Sequence, residues 1–167
     1  MTAKPKGDDA DQDARKPARY DISVSLWVRL LESHNLMLAE LRRRFVPGKG
    51  AASLPRFDLL ASLVAHDGQT LASLSRRLLV TAGNVTGLVD RAERDGLVER
   101  RADPQDRRLS RVFLTKKGRA MIVSLLPRHA ALVADLLQGL DAKERRELRR
   151  LLGKLRGSFT MQAEAAE

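Results

Sequence analysis

Residues 70–118 read TLASLSRRLLVTAGNVTGLVDRAERDGLVERRADPQDRRLSRVFLTKKG, and the order of elements in this stretch decides the fold. Thr70 supplies a hydroxyl N-cap for a short helix in which Leu71, Leu74 and Leu78 share one face. A turn through Leu79 and Val80 leads to Thr81, which can cap a second helix that a left-handed Gly96 closes. The buried stripe of the second helix is Val85, Leu88, Val89 and Ala92. That stripe turns Gly83, Thr86, Gly87, Asp90 and Arg94 outward, with Asn84 and Arg91 on one flank.

Two glycines inside a helix each cost about 1 kcal/mol relative to alanine, so Gly83 and Gly87 call for a reason. They either present a surface that something can approach closely, such as a major groove, or permit tight packing against the preceding helix. After Gly96, the runs Leu97–Arg101 and Ser110–Leu114 flank a turn rich in Asp and Pro, with alternation around Val112 and Leu114, and read as a β-hairpin. Its loop carries Arg107 and Arg108, which suit phosphates or a narrow minor groove, or else form a solvated charge run. A helix pair followed directly by a basic hairpin is the layout of a winged helix-turn-helix, whose second helix reads the major groove. In that layout Asn84 and Thr86 are candidates for base edges, with Gly83 and Gly87 allowing the approach. Arg76, Arg77 and Arg91 are candidates for phosphates, and Arg107 and Arg108 for the flanking minor groove.

The run from Leu71 to Gly118 resembles the DNA-binding core of the MarR family of bacterial transcription regulators. The resemblance is carried by VTGLVDRAERDGLVER over the recognition helix and first strand, and by DRR and LTKKG over the wing and the next helix. It implies an Asp-x-Arg element in the wing, here Asp106 and Arg108, with the aspartate as orienting partner of the arginine. Many relatives carry another arginine where this chain has Gln105, and Leu is commoner where it has Ala92, which implies looser packing under the recognition helix.

The rest of the composition fits duplex DNA better than the other acidic partners. Thirty-one Lys and Arg against 21 Asp and Glu give a formal charge of +10 and a pI near 10.8, so an acidic partner is expected. Aromatic residues make up 4%, too few for a single-strand binder that stacks bases on rings. The absence of cysteine excludes disulfides, zinc-finger sites and thiol-based oxidant sensing. No signal peptide and no apolar run long enough to cross a membrane is visible, so a cytoplasmic protein without a membrane partner is expected.

The core is flanked by long helices. Residues 1–19 are rich in Lys, Asp, Gly, Pro and Ala and read as a mobile tail. A helix from about Asp21, with Ile22, Leu26, Leu30, Met37, Leu41 and Phe45 at helical spacing, should stop at Pro47-Gly48. Pro55 suits the first turn of the next helix, with Ser53 as cap and Phe57, Leu60, Ala61 and Val64 as its buried face. Thr115 can cap the helix after the wing, which Pro127 should kink or split near its middle. Asp141 with Glu144 forms a capping box for a last helix carrying Leu148, Leu151, Leu152, Leu155 and Phe159.

The expected architecture is therefore mainly α with a small β-hairpin wing: a winged helix-turn-helix with long N- and C-terminal dimerisation helices. Its divisions are a tail over 1–19, an N-terminal dimerisation helix and linker over 20–53, the DNA-binding domain over 54–118, C-terminal dimerisation helices over 119–160 and a flexible tail over 161–167. The terminal helices carry apolar stripes with few partners in one small domain, so a two-fold homodimer is expected, as in the resembled family.

The function expected is a repressor that binds a pseudo-palindromic operator. By the resemblance, its effector is a small aromatic carboxylate or an aromatic acyl-CoA. Trp27, His34, Arg56 and Phe57 are the candidate ligand residues, although His34 also reads as a core or interface histidine and Arg56 as a surface arginine. A constitutive architectural DNA-binding protein and a metal-sensing regulator are the alternatives. No cofactor and no enzyme activity are expected: His34, His66 and His129 lie in separate segments, without a nucleophile motif, phosphate loop or HxxxH pair.

Overall fold

A computed structural model of the chain describes residues 21–45, 53–106 and 108–164. Residues 1–20, which include the expected tail over 1–19, the linker residues 46–52, Arg107 and the terminal residues 165–167 lie outside the described residues. The chain divides into two units, Met1–Leu38 and Ala39–Glu167. In the first, helix α1 (Ile22–Arg44, which continues into the second) buries none of its residues, and Ile22, Leu26, Trp27 and Leu31 are exposed.

In the second unit, threonines start three helices, as their positions in the sequence require. The Thr70 hydroxyl accepts from the N–H of Ser73 at the head of α3 (Leu71–Leu78), and Thr81 accepts from Asn84 at the head of α4 (Ala82–Arg94). Thr115 accepts from Gly118 at 3.0 Å to begin α5 (Lys116–Leu136). Asp141 and Glu144 form the expected reciprocal box, each 2.8 Å from the other's backbone N–H, ahead of α6 (Ala142–Glu164). Gly96, at φ 70°, takes the left-handed conformation that ends α4. Leu79, 91% exposed in the turn between α3 and α4, shares that conformation at φ 53°.

Helix α2 (Leu54–Ala65) departs from the expected pattern in two ways. Ser53 occupies the cap position without a side-chain hydrogen bond, and the buried set is Leu54, Phe57, Leu59, Leu60, Ser62 and Leu63. Val64 is exposed instead. The helix is packed against α3, α4, α5 and the sheet, so it buries a broad face where a single stripe was expected. Pro127 does not split α5, which runs as one helix from Lys116 to Leu136. Ile122 before the proline and Leu132 after it are both buried, and packing on each side holds the helix together across the lost backbone donor.

The sheet has three strands where a hairpin alone was expected. Strands β2 (Val98–Ala102) and β3 (Ser110–Leu114) pair antiparallel from Val98 with Leu114 to Ala102 with Ser110. A short strand β1 (Gln69–Thr70) pairs with Val112 and Arg111 on the other edge of β3, giving the order β1-β3-β2. The core lies between this sheet and the helices. Leu59, Leu60 and Leu63 of α2, Leu74 of α3, Val85, Val89 and Ala92 of α4, Val112 of β3 and Ile122 of α5 are fully buried. Each aliphatic side chain of Val or Leu size contributes about 1.5–3 kcal/mol on burial.

Gly118 sets how closely α5 meets the end of α4. A Cβ added there would stand 1.9 Å from the backbone oxygen of Leu97, a contact that only a backbone shift relieves. Gly118→Ala is therefore expected to destabilise the fold by about 3 kcal/mol, at the upper end of overpacking costs. Urea unfolding followed by circular dichroism checks this, and an unchanged midpoint would show that the junction can yield.

Candidate nucleic-acid interface

Helix α4 presents the side chains that the sequence pattern turned outward. Val85, Leu88, Val89 and Ala92 are buried, while Gly83, Asn84, Thr86, Asp90 and Arg91 are exposed and Gly87 is half-buried. A Cβ at Gly83 would meet nothing within 4 Å, and one at Gly87 would meet only the Arg91 guanidinium at 3.4 Å. Neither glycine is there to let the preceding helix pack closely, so of the two readings open in the sequence the packing one falls. The backbone is bared on the outer face. There Gly83, Asn84, Gly87, Leu88 and Arg91 line a groove of about 290 Å³ with Pro55 and Val80. The Thr86 hydroxyl donates to the Ala82 carbonyl at 2.9 Å, which leaves its methyl and oxygen lone pairs for an outside partner.

Basic side chains flank this face. Arg76 and Arg77 are exposed in the last turn of α3. In the wing, Arg108 is exposed, and its backbone N–H donates to Asp106 Oδ1 at 2.9 Å. The aspartate thus shapes the turn through the main chain, where the resemblance implied an orienting contact to the arginine. Arg107 lies outside the described residues.

The base of the wing is held by a side chain that the sequence reading passed over. Asp103 is 3% exposed. It accepts from the backbone N–H groups of Gln105 at 2.8 Å and Asp106 at 3.2 Å, and from the Arg111 guanidinium. The Gln105 N–H first, then Arg111 and the Asp106 N–H, outweigh burial and hold the Asp103 carboxyl below the usual carboxylate range. Arg111 in turn donates to the Gly68 carbonyl at 3.1 Å. Asp67, next to that glycine, accepts from the N–H of Leu114 at 2.9 Å and from Arg119 at 3.0 Å. The buried amide of Gln69 donates to Ser62 and His66. An aspartate followed by proline is a turn signal that marks Asp103, and Asp67-Gly68 marks a turn without marking its distant partners; no local pattern marks Gln69.

The candidate ligand residues fall into different surroundings. Trp27 and His34 are exposed on α1 in the first unit. In the second unit, Arg56 forms an ion pair of 2.5 Å with Asp95, the residue that ends α4, and its side chain is 19% exposed. Its neighbour Phe57 points the other way into the core, stacked on His129 with ring centroids 4.3 Å apart and edge-on to Phe45 at 5.1 Å. Among the described residues, no group of three or more His, Asp or Glu side chains is placed to hold a metal ion, and no helix is long and apolar enough to cross a membrane.

Comparison with known proteins agrees with this geometry. Residues 52–110 match the model of the MarR family. The HTH-type transcriptional regulator YkoM of Bacillus subtilis is 37% identical over 98 residues, covering 59% of this chain and 64% of that protein. The chain spans less than two thirds of the length of the first curated relatives it matches. Among solved structures, a MarR family regulator from Silicibacter pomeroyi superposes with a TM-score of 0.68 at 28% identity, over 84% of this chain and 94% of that one. The PcaV transcriptional regulator of Streptomyces coelicolor, solved in complex with its natural ligand, gives 0.62 at 27% identity, over 90% and 100%. All three are named as transcriptional regulators, which agrees with the expectation that the chain is not an enzyme. In order of elements and in sequence, the winged helix-turn-helix over residues 52–110 is thus similar to that of the MarR family.

Proposed function

We propose that the chain is a ligand-responsive transcriptional regulator that binds a pseudo-palindromic operator in duplex DNA as a homodimer and represses by occupying it. The observation that carries this reading is the bared face of α4, with two glycines whose missing Cβ atoms serve no packing inside the fold. A major groove can approach such a backbone. Asn84 and Thr86 then reach base edges, while Arg76, Arg77 and Arg91 meet phosphates. Asp106, Arg107 and Arg108 belong to the wing, whose arginines follow the flanking minor groove.

The homodimer is supported by apolar surface that a lone copy leaves wet. On α6, Leu148, Leu151, Leu152 and Leu155 are 38–47% exposed and Phe159 is 61% exposed; on α1, Ile22, Leu26 and Trp27 are exposed by more than half. A second copy burying these faces would present two recognition helices about one helical turn of DNA, roughly 34–36 Å, apart. For the effector, the resemblance to the MarR family supports a small aromatic carboxylate or its CoA thioester, with Trp27, His34, Arg56 and Phe57 as the side chains to test. A carboxylate at Arg56 would compete with Asp95, and only a ligand that favours one of two states can shift the protein between them.

Fluorescence anisotropy of the protein with duplex DNA from its own promoter region and with a scrambled duplex, at two salt concentrations, tests the reading. Tight binding to the promoter duplex alone is expected, whereas equal, salt-sensitive binding to both would favour a constitutive architectural protein. In the same assay Arg108→Ala should weaken binding and flatten the salt dependence by about one phosphate equivalent per wing. An unaltered slope would remove the wing from the contact.

Gly83→Ala separates folding from binding. It should stabilise the protein to urea by up to about 1 kcal/mol, yet weaken promoter binding by roughly tenfold, the value of one good base contact. Unchanged affinity would mean that the glycine face does not meet DNA. Sedimentation equilibrium should return the mass of two chains, and a stable mass near 18.6 kDa would exclude the dimer.

A further inference from the structure

The bared face of α4 also carries negative charge. Asp90 follows Gly83 and Gly87 at intervals of seven and three residues, on the same side of the helix, and Glu93 stands one turn further along. Two carboxylates beside a reading face would oppose the phosphates of any duplex lying on it. Both are met by one side chain from the wing. Arg100, on β2, sends one terminal nitrogen to Asp90 Oδ1 at 2.5 Å and the other to Glu93 Oε2, while its backbone N–H donates to Glu93 Oε1 at 2.9 Å. Burial opposes its charge, but Asp90 and Glu93 outweigh that effect and hold the guanidinium above its ordinary value.

The neighbouring arginine shows the contrast. Arg101 pairs with Glu99 on its own strand, covers the Phe113 ring at 4.6 Å and keeps 62% of its side chain exposed, against 23% for Arg100. Arg100 is therefore not a surface cation waiting for a phosphate. Its fork is used inside the protein, where a planar guanidinium can serve two carboxylates at once.

We infer that Arg100 is a positioning residue for DNA binding, which acts by cancelling the charge of Asp90 and Glu93 and so lets α4 approach the phosphates. The inference rests on the DNA-binding reading above. It places a determinant of affinity on a strand residue that touches no DNA itself.

Four proteins decide it by anisotropy on the promoter duplex at low and moderate salt: the wild type, Arg100→Met, Asp90→Asn with Glu93→Gln, and all three changes together. Arg100→Met should weaken binding roughly tenfold or more, as uncompensated like charges across an interface do, and most strongly at low salt. Removing the two carboxylates as well should bring affinity back to within about threefold of the wild type, because nothing is left to cancel. A triple variant as weak as Arg100→Met, or an Arg100→Met protein that binds like the wild type, would overturn the assignment. Should Arg100→Met fail to fold by circular dichroism, the Asp90→Asn, Glu93→Gln protein decides alone: binding at least as tight as the wild type upholds the assignment, and weaker binding overturns it. Failure of the wild type to bind its promoter duplex would instead strike down the DNA reading and this assignment with it.

Discussion

The carbonyl oxygen of Leu97 is the point on which the winged unit turns. It accepts from the N–H of Thr115 and from the Thr115 hydroxyl, both at 3.1 Å, and the Cα of Gly118 lies so close that no side chain fits. The same hydroxyl reaches the Gly96 carbonyl at 2.7 Å. One residue at the head of α5 thereby ties two of the residues that link α4 to β2 to the end of β3. A displacement of α5 would therefore reach the end of α4 and the start of β2 together.

Around that junction, charge is paired across elements more than within them. Arg100 ties the wing to α4, Arg56 ties α2 to the end of α4, and Arg119 ties α5 to Asp67. Pairs with a partner at the surface contribute little stability one by one. Their effect is orientation: each fixes one element against another, while Arg76, Arg77, Arg91 and Arg108 stay exposed in the same unit.

Much of this was legible in the sequence because it is local. A threonine three residues ahead of an orphan N–H, an aspartate with a glutamate three residues on and a four-residue apolar stripe at helical spacing are statements about near neighbours. Thr70, Thr81, Thr115, Asp141 and the stripe of α4 obeyed them. What escaped was set by contacts distant in the chain. The strand Gln69–Thr70 exists only because β3 passes beside it, and Asp67 meets Leu114 and Arg119 across 47 and 52 residues. The breadth of the buried face of α2 depends on how many neighbours surround it, which periodicity does not count. Arg100 stood in the open in the GLVER motif, but two arginines side by side in a strand give no sign of which one turns inward. The outward face of α4 was legible as a face, whereas the reason for its glycines needed the empty space above Gly83.

The sheet is three strands wide only where Gln69 and Thr70 flank Val112 and Arg111. Beyond that row the ribbon narrows to Ala102 against Ser110, and the turn outside it hangs on the acceptors of Asp103. Such a tip has little apolar surface to lose, so it can open on its own at a fraction of the free energy of global unfolding. The contacts that hold the turn are thus separate from the packing of Leu74, Val85 and Val112 behind it, which are fully buried.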